Sequence, residues 1–334
     1  MTDQLTPTRC FCNLQAIEKG LDPAGYAGNF DDGFAIEMPL PWKRNYDETG
    51  ISQEISDLLA LWLERYKQSG VYGHRPLLIA PDDAYSVDGM RRVLFYTRPD
   101  SALFDTYNKT AYLVPEDQLG ALVWAWYENR DTLPDYDAHR QPEDVAVRDL
   151  LVCTHGTVDV ACAKFGYPLY KHLRDTYQGH EAVRIWRVSH FGGHLFAPTM
   201  MDMPKGDYWA HLDADIATQI IERAGDVNAV YGHYRGWAGV SYGFAQAMER
   251  ACLMREGWDW QGYAKRETII AQDTGDEPQW ADVRIDYRTP QGEQGAYLAR
   301  VRIHKVIVTN TASNAVKESP YAQYIVDELQ TLTS

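Results

Sequence analysis

Two cysteines and two histidines lie close together in the middle of the chain. Cys153 and Cys162 bracket the run Cys-Thr-His-Gly-Thr-Val-Asp-Val-Ala-Cys, and one helix-length segment later His190 and His194 bracket Phe-Gly-Gly. Two thiolates and two imidazoles close a tetrahedral zinc site. They equally hold a [2Fe–2S] cluster in which one iron has two histidines in place of cysteines. A helix carrying two consecutive glycines in one turn loses roughly 2 kcal/mol relative to alanine, so His190 and His194 are not read as a helical zinc pair. No glutamate adjoins His190 to serve as a base. A glycine loop instead brings backbone N–H groups near the site, where they can hydrogen-bond sulfide and raise a reduction potential.

The elements that must position these residues are legible from periodicity. Leu150–Val152 reads as a short apolar strand leading into Cys153, and 160–177 as a helix with Leu169 and Leu173 on one face. Val183–Ser189 alternates as a strand and ends at His190, so both pairs fall on loops at strand ends of one unit. Strands at Leu195–Met201 and Tyr208–Leu212 and a helix from Asp213 carrying Ile216, Ile220 and Ile221 follow. Upstream, the same order of elements is expected. Phe34–Met38 is a strand, and 51–68 is a helix with Ile55, Leu58, Leu59 and Trp62 at helical spacing. Leu77–Ala80, Arg92–Thr97 and Thr110–Val114 are strands, and Pro115-Glu116-Asp117 opens a second helix.

The fold predicted is α/β, with two tandem thioredoxin-like units and a C-terminal helix and small antiparallel β-sheet. Residues 1–140 form the first unit, without ligands, and 131–147, rich in Asp and Pro, is a linker. Residues 141–240 form the second unit, with the four ligand-type residues. Residues 241–334 hold a helix through Phe244, Met248 and Cys252, strands at 268–271, 281–288 and 296–308, and a last short helix near Tyr321. The first thirty residues read as loop.

A chain of 334 residues exceeds one ordinary core, and 45% hydrophobic content with 12% aromatics can fill two. A formal charge of −15 argues against nucleic acid and against an anionic membrane surface, while it suits a basic patch on a redox partner. No apolar run approaches the roughly 20 residues of a membrane span. The opening Met1-Thr2-Asp3-Gln4-Leu5 is not a basic, apolar leader, so a soluble cytoplasmic protein is expected. Five cysteines are too few, and odd in number, for a disulfide framework. No Gly-x-Gly-x-x-Gly fingerprint marks a flavin or nicotinamide site.

Taken together, Cys153-Thr-His-Gly156, Asp159, Cys162 and His190-Phe-Gly-Gly-His194-Leu-Phe-Ala197 resemble the sucrase/ferredoxin-like family. Glu37-Met-Pro-Leu-Pro-Trp42, Tyr208-Trp209 and Tyr234-Arg235-Gly236 add weaker support, and the resemblance covers most of 1–240. It implies that the second unit is a thioredoxin-like ferredoxin. Cys153, Cys162, His190 and His194 would then ligate a [2Fe–2S] cluster, with both histidines on one iron. The protein would be an electron carrier with an unidentified donor or acceptor protein as partner, coupled to protonation of a histidine ring. His155 is expected beside the ligands rather than among them. Cys10 and Cys12 are too close together to be two ligands in an extended segment, and Cys252 is expected in the core. Two other readings remain open: a structural zinc module, and a sugar hydrolase. For the latter, Asp82, Asp83, Asp202, Asp207, Asp213 and Asp215 supply carboxylates, but no pair stands out.

Overall fold

The computed structural model describes residues 10–70, 73–241 and 243–332; the Met1–Leu5 opening lies outside them. The first half contains α1 (Cys12–Glu18), β1 (Asp32–Glu37), α2 (Gln53–Ser69), β2 (His74–Ile79), β3 (Met90–Thr97), β4 (Asn108–Pro115) and α3 (Leu119–Glu128). The second contains β5 (Arg148–Cys153), α4 (Val160–Thr176), β6 (Val183–Val188), β7 (Met200–Met203), β8 (Asp207–Trp209), α5 (Ala214–Glu222) and β9 (Tyr234–Trp237). The remainder is α6 (Phe244–Glu256) and strands β10 (Ala264–Gln272), β11 (Trp280–Arg288), β12 (Gln294–Asn310), β13 (Glu318–Val326) and β14 (Gln330–Leu332).

One pairing rule operates twice. β1 runs parallel to β2 and antiparallel to β3, which pairs antiparallel with β4. β5 likewise runs parallel to β6 and antiparallel to β7, which pairs with β8. The two sets of four meet edge to edge through β2 and β6, where Ile79 faces Val188, and β9 extends the far edge. The result is one nine-stranded mixed sheet, with a separate five-stranded antiparallel sheet built from β10 to β14.

The inner strands are apolar on both faces because both faces are covered. Phe34, Ile36, Val93 and Phe95 pack against Ile55, Leu58 and Trp62 of α2 and Leu122, Val123 and Trp126 of α3. The opposite face, with Ala35, Ile79, Leu94 and Tyr96, joins the core of the second half. Buried charges tie the halves. Asp149 on β5 accepts from Trp186 Nε1 at 2.9 Å, from the Tyr96 hydroxyl at 3.0 Å, and from the Lys109 ammonium. Asp144 sits between Arg92 and Arg184. Such charges are tolerated inside only when their hydrogen bonding is met. Lys265 on β10 pairs with Glu249 of α6 at 3.0 Å, and Gln261, just before β10, donates to Asp207 on β8 at 3.1 Å.

Several local expectations change. The segment near Tyr321 is β13 rather than a helix, because it pairs along nearly its whole length with β12. Leu195–Met201 is not one strand: His194–Phe196 is a 3-10 turn and β7 starts only at Met200, after Pro198, which has no N–H to give a ladder. β8 ends at Trp209, before His211 takes a positive φ of 50°. The early loop contains α1, and 131–147 holds 3-10 helices at Arg130–His139 and Pro142–Ala146. Among the described residues no helix is long and apolar enough to cross a membrane.

Candidate metal centre

β5 delivers Cys153 at its C-terminal end, and the chain then loops to Asp159, whose Oδ1 accepts from Ala161 N at 2.8 Å and so caps α4. Cys162 lies in the first turn of that helix. Gly166 is where the helix meets the strand: a Cβ there would overlap the Cys153 carbonyl oxygen, so only glycine lets α4 lie this close to the end of β5. β6 brings the chain to His190. Gly192 and Gly193 then take positive φ angles of 93° and 79°, which turn the loop sharply to His194.

These elements converge. His190 Nδ1 stands 3.9 Å from Cys153 Sγ and 3.7 Å from Cys162 Sγ, and both thiols are buried. The thiols behave as one acid pair. Cys162 donates to Cys153 and, with His190 nearby, holds Cys153 well below the ordinary thiol range. Cys162, facing that thiolate in a buried setting, is pushed well above it. His155 sits beside this group as expected. Its Nδ1 accepts from the His190 N–H at 3.1 Å and its Nε2 lies 3.0 Å from the Lys43 carbonyl, which fixes a neutral ring with the proton on Nε2. Burial depresses its pKa.

His194 stands next to this cluster with a different set of neighbours. Its ring is 5.5 Å from that of His190, but its Nδ1 lies 3.3 Å from Cys12 Sγ and 3.5 Å from Asp159 Oδ2. Burial lowers the His194 pKa, while Asp159 opposes that shift. Burial pushes the Cys12 thiol up to about 11. Burial disfavours the charge on Asp159, yet hydrogen bonds from Ser313 and Ala161 hold its carboxyl below the usual range. Three of the four predicted ligand residues therefore share one point, and the fourth adjoins them within a second group, Cys12, Asp159 and His194.

Cys12 and Ser313 were not expected here. Spacing gives no signal for either, since α1 and the loop after β12 reach the site only through the tertiary fold. Arg235 was quoted only within a motif, yet it is buried against the glycine loop and donates to Gly192 O at 3.2 Å. Cys10 lies apart, its N–H bonded to Asn314, and Cys252 is buried in α6 among core residues.

The donor set suits a soft or borderline metal. Two thiols and an imidazole sit within the roughly 4 Å mutual spacing that metal–ligand bonds of about 2.0–2.3 Å impose, and both thiols are buried. The sucrase/ferredoxin-like family matches residues 23–236, more than half of the chain. The chain belongs to the sucrase/ferredoxin-like family. The match spans both sets of four strands and every residue of the thiol–imidazole group, and it stops just before α6 and the C-terminal sheet. No curated protein and no solved structure matches.

Four of the six carboxylates that a sugar hydrolase would draw on are engaged elsewhere. Asp82 is held by Arg174 at 2.8 Å and by Tyr170, and Asp202 by Arg148 at 2.5 Å. Asp207 is buried with Tyr234 and Gln261, and Asp213 caps α5. Asp83 and Asp215 are exposed on the surface.

Proposed function

We propose that this protein is a one-electron carrier whose [2Fe–2S] cluster is held by Cys153, Cys162, His190 and His194. The observation that carries the reading is the convergence of two buried thiols on His190 Nδ1, with a second histidine ring 5.5 Å away. A structural zinc site needs four protein donors around one ion, whereas His194 Nδ1 is among Cys12 and Asp159, apart from the thiol pair. Donors spread over two adjoining groups favour a binuclear centre. When bound, the cluster supplies reversible one-electron chemistry, at a potential raised by histidine in place of thiolate.

The chain's own residues would do the rest. The glycine loop keeps side-chain bulk away from the two rings, and His155 fixes the backbone of His190. The electron would pass to or from another protein, and a formal charge of −15 favours a partner with a basic patch. Cytoplasmic location belongs to the same reading.

Anaerobic purification with iron, sulfide and zinc analysis tests it. About two irons and two acid-labile sulfides per chain, with a red-brown absorption spectrum, are expected. Stoichiometric zinc without iron in protein from its native source would replace this reading with the structural zinc module.

A further inference from the structure

The chain carries 47 acidic against 32 basic residues, so a cation placed inside it readily finds a carboxylate. Buried Arg92, Lys109, Arg250 and Lys265 each have one, in Asp144, Asp149, Asp22 and Glu249. Arg235, 2% exposed, is different. Its hydrogen bonds go to two backbone carbonyls, Gly192 O at 3.2 Å and Tyr26 O at 2.5 Å, and its Nε has no acceptor. The guanidinium lies 5.3 Å from the Phe196 ring centroid and 5.4 Å from that of Tyr208, which fixes its plane.

Half-buried Arg75 shares the same space, also with an Nε that lacks an acceptor, and its charge acts on Arg235. Among the described residues neither forms an ion pair with a carboxylate. Two like charges withdrawn from water with no carboxylate partner are costly, and the nearby thiols and the cation–π contacts offset only part of that cost. Both arginines line one cleft of about 310 Å³ with Gly193, His194, Thr311 and Tyr321. That volume is at the small end for ligand sites.

We propose that the cleft between Arg75 and Arg235, against the His190–His194 loop, binds a small oxyanion through a phosphate or carboxylate group. The planar fork of arginine matches such groups in pairs of parallel hydrogen bonds, so two forks lining one cleft favour an oxyanion over a monatomic anion. Thr311 adds a hydroxyl and Tyr321 a phenol to the wall. His194 also lines the cleft and the thiols act on Arg235, so binding is measured with and without bound iron.

Calorimetric and thermal-shift titrations with inorganic phosphate and with acetate test this, at fixed ionic strength against chloride, on the protein with and without bound iron. Saturable binding of one anion per chain is expected. Whichever of phosphate or acetate binds tighter identifies the group the site takes. Arg75→Gln should weaken binding at least tenfold, and Arg235→Lys, which keeps the buried charge and loses the fork, should weaken it too. Near-UV circular dichroism checks that both variants are folded. Phosphate and acetate responses no larger than chloride's would overturn the proposal, as would wild-type affinity in both variants. Should a variant fail to fold, the chloride comparison on the unmodified protein still decides.

Discussion

The carboxylate of Asp159 takes two hydrogen bonds from Ser313, one from its backbone N–H at 2.8 Å and one from its hydroxyl at 2.6 Å. The same carboxylate caps the helix that carries Cys162 and lies beside Cys12 and His194. One side chain therefore ties the start of the chain, the candidate centre and the C-terminal sheet. Asp159→Ala should cost about 2–4 kcal/mol, from a lost cap plus donors left unsatisfied, read by urea unfolding. Asp159→Asn keeps a capping oxygen and should cost less. Equal losses in the two variants would mean that the cap contributes nothing.

Replacing either thiol should abolish the chromophore and destabilise the second set of strands, because metal binding and folding are coupled. His190→Cys or His194→Cys should keep a cluster and lower its potential, since thiolate donates more negative charge. Potentiometry of the four variants checks this. An unchanged potential in both histidine variants would remove them from the ligand set.

Cys12 faces His194 and not the thiol pair. Cys12→Ser should accordingly retain about two irons per chain. Iron content falling in that variant would make Cys12 a ligand in its own right.

The potential should fall as pH rises into the alkaline range. The oxidised metal favours the deprotonated, more negative imidazole ring, so oxidation releases a proton from a ring nitrogen. The slope should approach about 59 mV per pH unit for one proton per electron. Voltammetry giving a flat line would leave electron transfer uncoupled from protonation.

His211 and Asp207 pull stability in opposite directions below neutrality. Burial lowers the His211 pKa from 6.5 to about 4, against a weaker opposing pull from the Ala197 backbone. The unfolded chain thus binds the extra proton, and stability falls as pH drops from about 6.5 towards 4. Burial raises Asp207 from 3.8 to about 6, so its contribution is full below 3.8 and is lost as pH rises through about 6. His211→Asn, a residue that tolerates the positive φ there, should remove the first dependence. Denaturant midpoints across pH 4 to 7 would show a steeper net decline with rising pH in that variant. An unchanged profile would mean that His211 protonates alike in both states.

What could be read from sequence follows the length of the local signal. α2 and α4 each repeat an apolar stripe over several turns, and β5 and β6 are uninterrupted apolar or alternating runs, so their positions were legible to within a few residues. α1 was not: it has seven residues and no side-chain cap, and its stability comes from burying Cys12 and Ala16 against Leu195 and Phe196. Tyr321 was misread because a half-exposed edge strand owes its conformation to the neighbour β12 rather than to its own periodicity. The thiol pair and His190 were legible because each lies at a strand end or helix start within one unit. Cys12 reaches His194 across most of the chain, a juxtaposition no local pattern encodes.

Gly166 and Asp159 set Cys153 and Cys162 side by side as soon as β5 and α4 exist, but Ser313 closes the far wall of the site from the loop after β12. On a ribosome adding about 5–20 residues per second, the interval between the emergence of Cys162 and of Ser313 is on the order of ten seconds. Throughout it the thiols are paired while the wall that later shuts over Asp159 is still unsynthesised. On the proposed metal reading, the nascent chain offers its two thiols for loading before that wall exists.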